Sequence, residues 1–163
     1  MNKFKSFLSE NIVLLDGGMG TLLQARGLAA GELPERWNLT HPEVIVDIQT
    51  QYFNAGSNVV CTNTFGANAL KFEDAELEAI IAAAIHNAKT ARKKSVAPQE
   101  KFVALDIGPS GKLLKPLGDL DFEDAVALFA KTVQLGVKHG AELVVIETMN
   151  DSYETKAALL AAK

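Results

Sequence analysis

The sequence predicts an α/β fold in which parallel strands alternate with helices, the chain supplying the first four βα units of a TIM-type (β/α)8 barrel. Three observations carry this. Four short apolar runs, at residues 12–15, 59–61, 102–105 and 143–146, are rich in Val, Ile or Leu and lack polar alternation, the pattern of strands buried on both faces. Helical patterns separate the runs, as parallel pairing requires. Each run is followed by polar residues: Asp16, Thr62-Asn63-Thr64, Asp106 and Glu147. Barrels build their sites from the C-terminal ends of many strands, so these positions would meet at one mouth. A doubly wound open sheet is the competing architecture, but it would gather its ligand groups at one switch point.

The elements follow in order. The first run leads directly into Asp16-Gly17-Gly18-Met19-Gly20-Thr21, a tight turn. A helix over 43–55 places Val44, Ile48 and Tyr52 at spacings of four, with Pro42 near its start. After the second run, 74–94 is rich in Ala, Glu and Lys, and Leu77, Ile80, Ile81, Ala84 and Ile85 form one apolar stripe. Its Arg92-Lys93-Lys94 end reads as a solvated helix terminus that favours cations. The third run precedes a helix over 122–139, with Asp121 as N-cap, Asp124 in the first turn and Gly140 in the C-cap position. The fourth precedes a helix from about 152, where Asp151 and Glu154 have capping-box spacing. That helix is expected to be still running at 157–160. No repeat, low-complexity tract or linker interrupts the chain, so residues 1–163 are read as one domain.

Composition narrows the function. Of 163 residues, 48% are hydrophobic and 22% charged, the balance of an ordinary globular domain. The net charge of −4 argues against nucleic-acid or anionic-membrane partners, which want a basic face. A lone cysteine, Cys61, excludes an intramolecular disulfide and fits a reducing compartment. The Met1-Asn2-Lys3-Phe4-Lys5 start carries no apolar stretch suited to a signal peptide, and no run approaches the ~18 apolar residues of a membrane span. A cytoplasmic protein is the expectation.

The candidate site lies at the strand ends. Asp16, Asp106 and Glu147 would make the mouth electronegative, which suits an ammonium group or a metal ion. Asn63 and Thr64 could add oxygen ligands, and the alternative fate of the acids is helix capping. The Gly17-Gly18-Met19 turn lets backbone N–H groups approach a ligand, although its spacing is neither G-x-G-x-x-G nor a P-loop. An amino-acid substrate would explain both features: carboxylates for its amine and amides for its carboxylate. Cys61 sits within an apolar run and reads as core. His41, His86 and His139 fall away from the strand ends, so a histidine-based triad has no support. Trp37 and Phe65 could line the pocket, with core packing the expected role of each.

Several motifs also carry a resemblance. Residues 14–21 (Leu-Leu-Asp-Gly-Gly-Met-Gly-Thr), Trp37-Asn38-Leu39 with Pro42-Glu43-Val44-Ile45, and Thr62-Asn63-Thr64-Phe65-Gly66-Ala67-Asn68 occur in order along the chain. Asp106-Ile107-Gly108-Pro109-Ser110-Gly111, Pro116-Leu117-Gly118 and Glu147-Thr148-Met149 follow. Together they resemble the homocysteine S-methyltransferases, in the cobalamin-dependent methionine synthase branch. The resemblance implies that this chain is the N-terminal half of the homocysteine-binding barrel. The positions that it marks as substrate-binding are Asp16, Gly17, Gly18, Met19, Asn63, Thr64, Phe65, Asp106 and Glu147.

The family's chemistry implies zinc held by three cysteine thiolates, homocysteine sulfur as fourth ligand and methylcobalamin as methyl donor. The zinc cysteines belong to later strands and Cys61 matches none of them, so zinc ligands are expected to be absent here and the isolated chain inactive. The implied partners are homocysteine, the remaining half of the barrel, and the folate and cobalamin modules. Self-association through uncovered sheet edges is a further expectation. Two other readings stand beside this one: a relative using betaine or S-methylmethionine as donor, and a non-catalytic half-barrel binding or assembly protein.

Overall fold

The computed structural model describes residues 3–163; Met1 and Asn2, part of the stretch read above for a leader, lie outside the described residues. Three parallel strands, β1 (Val59–Cys61), β2 (Phe102–Ile107) and β3 (Leu143–Ile146), form a sheet in the order β1-β2-β3. Val59 pairs with Phe102, and Ala104 pairs with both Cys61 and Leu143.

The sheet corrects three expectations. Residues 12–15 form no regular strand; only Leu15 bridges in parallel to Val59. The Leu14 carbonyl accepts from the Asn58 and Val59 amides at 2.7 and 3.1 Å. The Leu14 amide, however, donates to the Asn58 side-chain Oδ1 at 3.1 Å, so a side chain stands where a ladder bond would be. Burial on both faces also fails for this run, since Ile12 is 88% exposed, and β3 is half-buried. Only β2, with a neighbour on each side, is buried throughout. Finally, β2 runs two residues past 105, so Asp106 lies inside the strand rather than after it.

The long helices form where the spacing predicts them: α4 (Pro42–Asn54), α5 (Asp74–Lys94), α6 (Phe122–Lys138) and α7 (Ser152–Ala161). The α5 stripe is wholly buried and faces Leu105, Ile107 and Phe129 in the largest core cluster. Gly136 of α6 lies so close to β2 that a Cβ there would meet the Leu105 side chain at 2.6 Å. Gly140 takes φ +83° just past α6, and the Ala141 amide returns to the Gly136 carbonyl at 2.9 Å, closing the helix end as expected.

Two caps differ from expectation. Asp121 occupies the N-cap position of α6 without a side-chain cap bond; its carboxylate pairs instead with Lys115 at 2.8 Å. Asp151 does cap α7, accepting from the Tyr153 amide at 2.8 Å, but Glu154 does not complete a capping box. It is buried and accepts from the Ser110 amide and hydroxyl at 2.8 and 2.6 Å.

Four short helical segments were not foreseen: α1 (Lys3–Glu10), α2 (Met19–Ala25), a 3-10 turn (Pro34–Arg36) and α3 (Trp37–Thr40). Their role follows from strand alternation, in which residues two apart share a face. Leu105 and Ile107 face the helices, while Phe102 and Ala104 face the other way with Val13, Val59, Cys61, Leu143 and Val145. Phe4 and Phe7 of α1 pack on this second face, with ring centroids 5.1 and 5.6 Å from that of Phe102. The N-terminal end of this face is therefore plugged by aromatic rings. Asp106 and Glu147 continue the same rows at the C-terminal end, where the cleft opens.

Candidate functional site

A cleft of about 430 Å³ lies at the C-terminal ends of the strands. It gathers eight of the nine residues expected at the site: Asp16, Gly17, Gly18, Met19, Asn63, Phe65, Asp106 and Glu147. Thr64 is not among its lining residues. Its hydroxyl is buried, 2.7 Å from that of Thr62, and donates to the Asp106 carbonyl at 2.8 Å. Thr64 thus braces the strand that carries Asp106, and Thr62 takes its place in the wall. Phe65, which its residue type alone assigned to the core and the resemblance to the site, is 40% exposed and lines the cleft. Trp37 is core, as expected, with its indole N–H donating to Glu32 at 2.7 Å.

Each acid is held differently. Asp16 follows the bridged segment; its amide donates to the Val59 carbonyl at 3.0 Å and its Oδ2 accepts from the Cys61 amide at 2.8 Å. Burial raises its carboxyl above the usual range, the Cys61 hydrogen bonds oppose this, and Glu147 adds to the rise. Asp106 is 7% exposed, and its Oδ1 is buried with no hydrogen-bond partner among the described residues. Burial, then the charges of Glu147, Asp16 and Glu35, push its carboxyl up to about 8. Glu147 is exposed, with its amide anchored to the Ile107 carbonyl at 3.0 Å. Thr148 beside it takes φ +56°, unusual for a β-branched residue and a local strain of the kind found at functional sites.

The glycine turn is equally constrained. Tyr52 of α4 donates its hydroxyl to the Gly18 carbonyl at 3.1 Å, and a Cβ on Gly17 would stand 3.0 Å from that hydroxyl oxygen. Gly17 therefore admits the tyrosine that fixes the turn. Helix α2 begins immediately afterwards at Met19, and the first amides of a helix lack intrahelical acceptors. Phe65 lies over Gly108, where any Cβ would meet its ring at 2.5 Å.

Sequence reasoning missed Glu35 and Pro34, which close one wall of the cleft. Glu35 is 4% exposed; a glutamate in a short loop carries no signal of burial, and only its closeness to the Trp37-Asn38-Leu39 motif pointed there. A larger groove of about 1100 Å³ runs between the 109–117 loop and α7. Its charged side chains are engaged: Lys112 with Asp119, Lys115 with Asp121, Glu154 with Ser110, and Lys156 over the Phe122 ring. The convergent, under-satisfied acids are in the smaller cleft.

Zinc does not fit the donors present. Cys61 is the one thiol, and burial reinforced by Asp16 and Asp106 pushes it up, away from thiolate. Among the described residues no three His, Cys, Asp or Glu side chains are grouped to hold an ion. Nor, among them, is any helix long and apolar enough to cross a membrane.

The family model described as homocysteine S-methyltransferase matches residues 13–163. The chain belongs to this family. It is 30% identical to the methionine synthase of Mycobacterium tuberculosis (strain ATCC 25618 / H37Rv) over 168 residues, covering 96% of this chain and 14% of that protein. Its fold is similar to the homocysteine methyltransferase MmuM from Escherichia coli. The oxidized form superposes with a TM-score of 0.83 at 25% identity, covering 98% of this chain and 61% of that one. The metallated form gives 0.80 at 24% identity, with 96% and 61% covered. This homocysteine S-methyltransferase family member thus spans less than two thirds of either relative's length.

Proposed function

We propose that the chain holds homocysteine for methylation of its sulfur, as the first four βα units of a methionine synthase barrel. The observation that carries this reading is the convergence of Asp16, Asp106 and Glu147 on one cleft with the Gly17-Gly18-Met19 turn. Asp16 and Glu147 take the ammonium group, and Asp106 offers its unpartnered Oδ1 as a further acceptor beside them. The N–H groups at the start of α2 take the carboxylate. Asn63 and Phe65 form the wall beside them. These contacts orient the amino acid by both charged ends, leaving its thiol as the free reactive group.

Family membership, the partial coverage of both relatives and the exposed residues at 12–15 support placing residues 1–163 in a larger barrel. In the whole protein, the remaining barrel half would supply the zinc thiolates, and the metal would keep the substrate sulfur as thiolate. Methylcobalamin on a separate module would be the methyl donor, with a folate module beside it, in the cytoplasm.

Calorimetry with homocysteine tests the reading. Asp16→Asn and Glu147→Gln should each weaken binding by roughly ten- to a hundredfold, since a hydrogen bond to a charged group contributes about 1.5–3 kcal/mol. Unaltered affinity in both variants would remove these residues from the site.

A further inference from the structure

Glu35 is the one acid of the cleft that no motif marks, and its surroundings are unusual. It sits on the 3-10 turn, and this turn is tied to the loop after β1 at several points. Its Oε1 accepts from the Gly66 amide at 2.7 Å. Asn38 Nδ2 donates to the Glu35 and Asn63 carbonyls at 2.8 and 2.7 Å, and Asn63 Nδ2 donates to the Pro34 carbonyl at 2.7 Å. Gly66 has no room for a side chain, because a Cβ would meet Lys71 Nζ at 2.5 Å and Glu35 Oε1 at 2.6 Å. The Glu35 carboxylate is thereby fixed in the cleft wall.

Its second oxygen is not used. Glu35 Oε2 is buried with no hydrogen-bond partner among the described residues, the same condition as Asp106 Oδ1, and both residues line the cleft. Glu35 is also close enough to raise the Asp106 carboxyl through its charge. A buried carboxylate oxygen without a donor is costly. An ammonium group is the partner that relieves it best, because it supplies both the N–H and the opposing charge.

We infer that Glu35 is a further specificity-determining residue, anchored to Gly66 through one oxygen and presenting the other, alongside Asp106, to the ammonium group of the amino-acid substrate. The inference rests on the homocysteine reading above. It assigns the 3-10 turn a part in substrate choice: selection for a ligand carrying an amine over one that lacks it.

The test compares homocysteine with 4-mercaptobutyrate, which keeps the thiol and carboxylate but has no amine. Glu35→Gln retains an acceptor for the Gly66 amide and replaces the second oxygen with a donor. The preference for homocysteine should fall at least tenfold in this variant, with the melting temperature and the affinity for 4-mercaptobutyrate little changed. A retained preference in Glu35→Gln, where Asp16→Asn loses it, would overturn the role of Glu35 and leave the homocysteine reading standing. Failure of the unsubstituted protein to bind homocysteine would overturn both. A second measurement needs no variant: the Glu35 side-chain carboxyl carbon in 13C-labelled protein should shift on saturation with homocysteine and stay in place with 4-mercaptobutyrate. A carboxyl resonance that responds alike to both ligands would also refute the assignment.

Discussion

Replacing Asp106 with Asn should remove one large pH-dependent contribution to stability. The Asp106 carboxyl is pushed up to about 8, first by burial and then by Glu147, Asp16 and Glu35. An unfolded aspartate titrates near ~3.9. Between those values the folded protein keeps the proton and the unfolded chain has lost it, so stability falls as pH rises. The slope approaches about 1.4 kcal/mol per pH unit, and the loss accumulates to on the order of 5 kcal/mol once the pH exceeds the folded value. Below about pH 4 both states are protonated and the contribution vanishes. Asparagine has nearly the same shape and cannot ionise. Little is lost in return, because Asp106 Oδ1 has no partner to give up. Urea unfolding of both proteins at about pH 5 and about pH 8.5 isolates the effect, since groups not coupled to Asp106 cancel in the comparison. The advantage of Asp106→Asn should grow by about 3–4 kcal/mol between the two conditions. An advantage that is the same at both would refute the argument that this carboxyl is buried among acids.

Three further outcomes follow from the same structure. A Cβ at Gly118 would stand 2.1 Å from the Leu113 carbonyl oxygen, so Gly118→Ala must move backbone and should cost about 1–3 kcal/mol of stability in a thermal or urea melt. With a single cysteine held away from thiolate, the chain should retain no stoichiometric zinc after dialysis, as elemental analysis would read; one tightly held zinc per chain would contradict this. Ile12 is 88% exposed, and Leu14 and Leu15 are 55% and 51% exposed beside a segment with few ladder bonds. An uncovered apolar edge favours pairing, so sedimentation at micromolar concentration should reveal self-association, and a concentration-independent monomer would show the edge to be tolerated.

What the sequence determined by itself was the repeating local order. The α5 stripe, the α6 end at Gly140 and the three strands are set by periodicity and by a glycine that accepts positive φ, and these act over a few residues. Strand-end acids were legible for a similar reason, because a polar residue follows each apolar run directly. The short helix α1 was not legible, since its eight residues have little intrinsic helix stability and form where Phe4 and Phe7 pack on Phe102. The resemblance supplied the identity of the turn at residues 16–19 and the implied substrate.

Tertiary structure alone decided the rest. Whether residues 12–15 form a strand depended on Asn58, whose side chain takes the bond that a neighbouring backbone would otherwise receive. Whether Glu154 capped a helix or was buried against Ser110 depended on a loop forty-four positions away. Phe65 reached the cleft because Gly108 leaves room for a ring on that side, while Thr64 left it because its hydroxyl found the Asp106 carbonyl. Glu35 became a buried acid only because Gly66 offered its amide and no side chain. In each case the deciding partner is remote in sequence. Desolvation and hydrogen-bond satisfaction are properties of the assembled surroundings, and no local pattern in the chain can encode them.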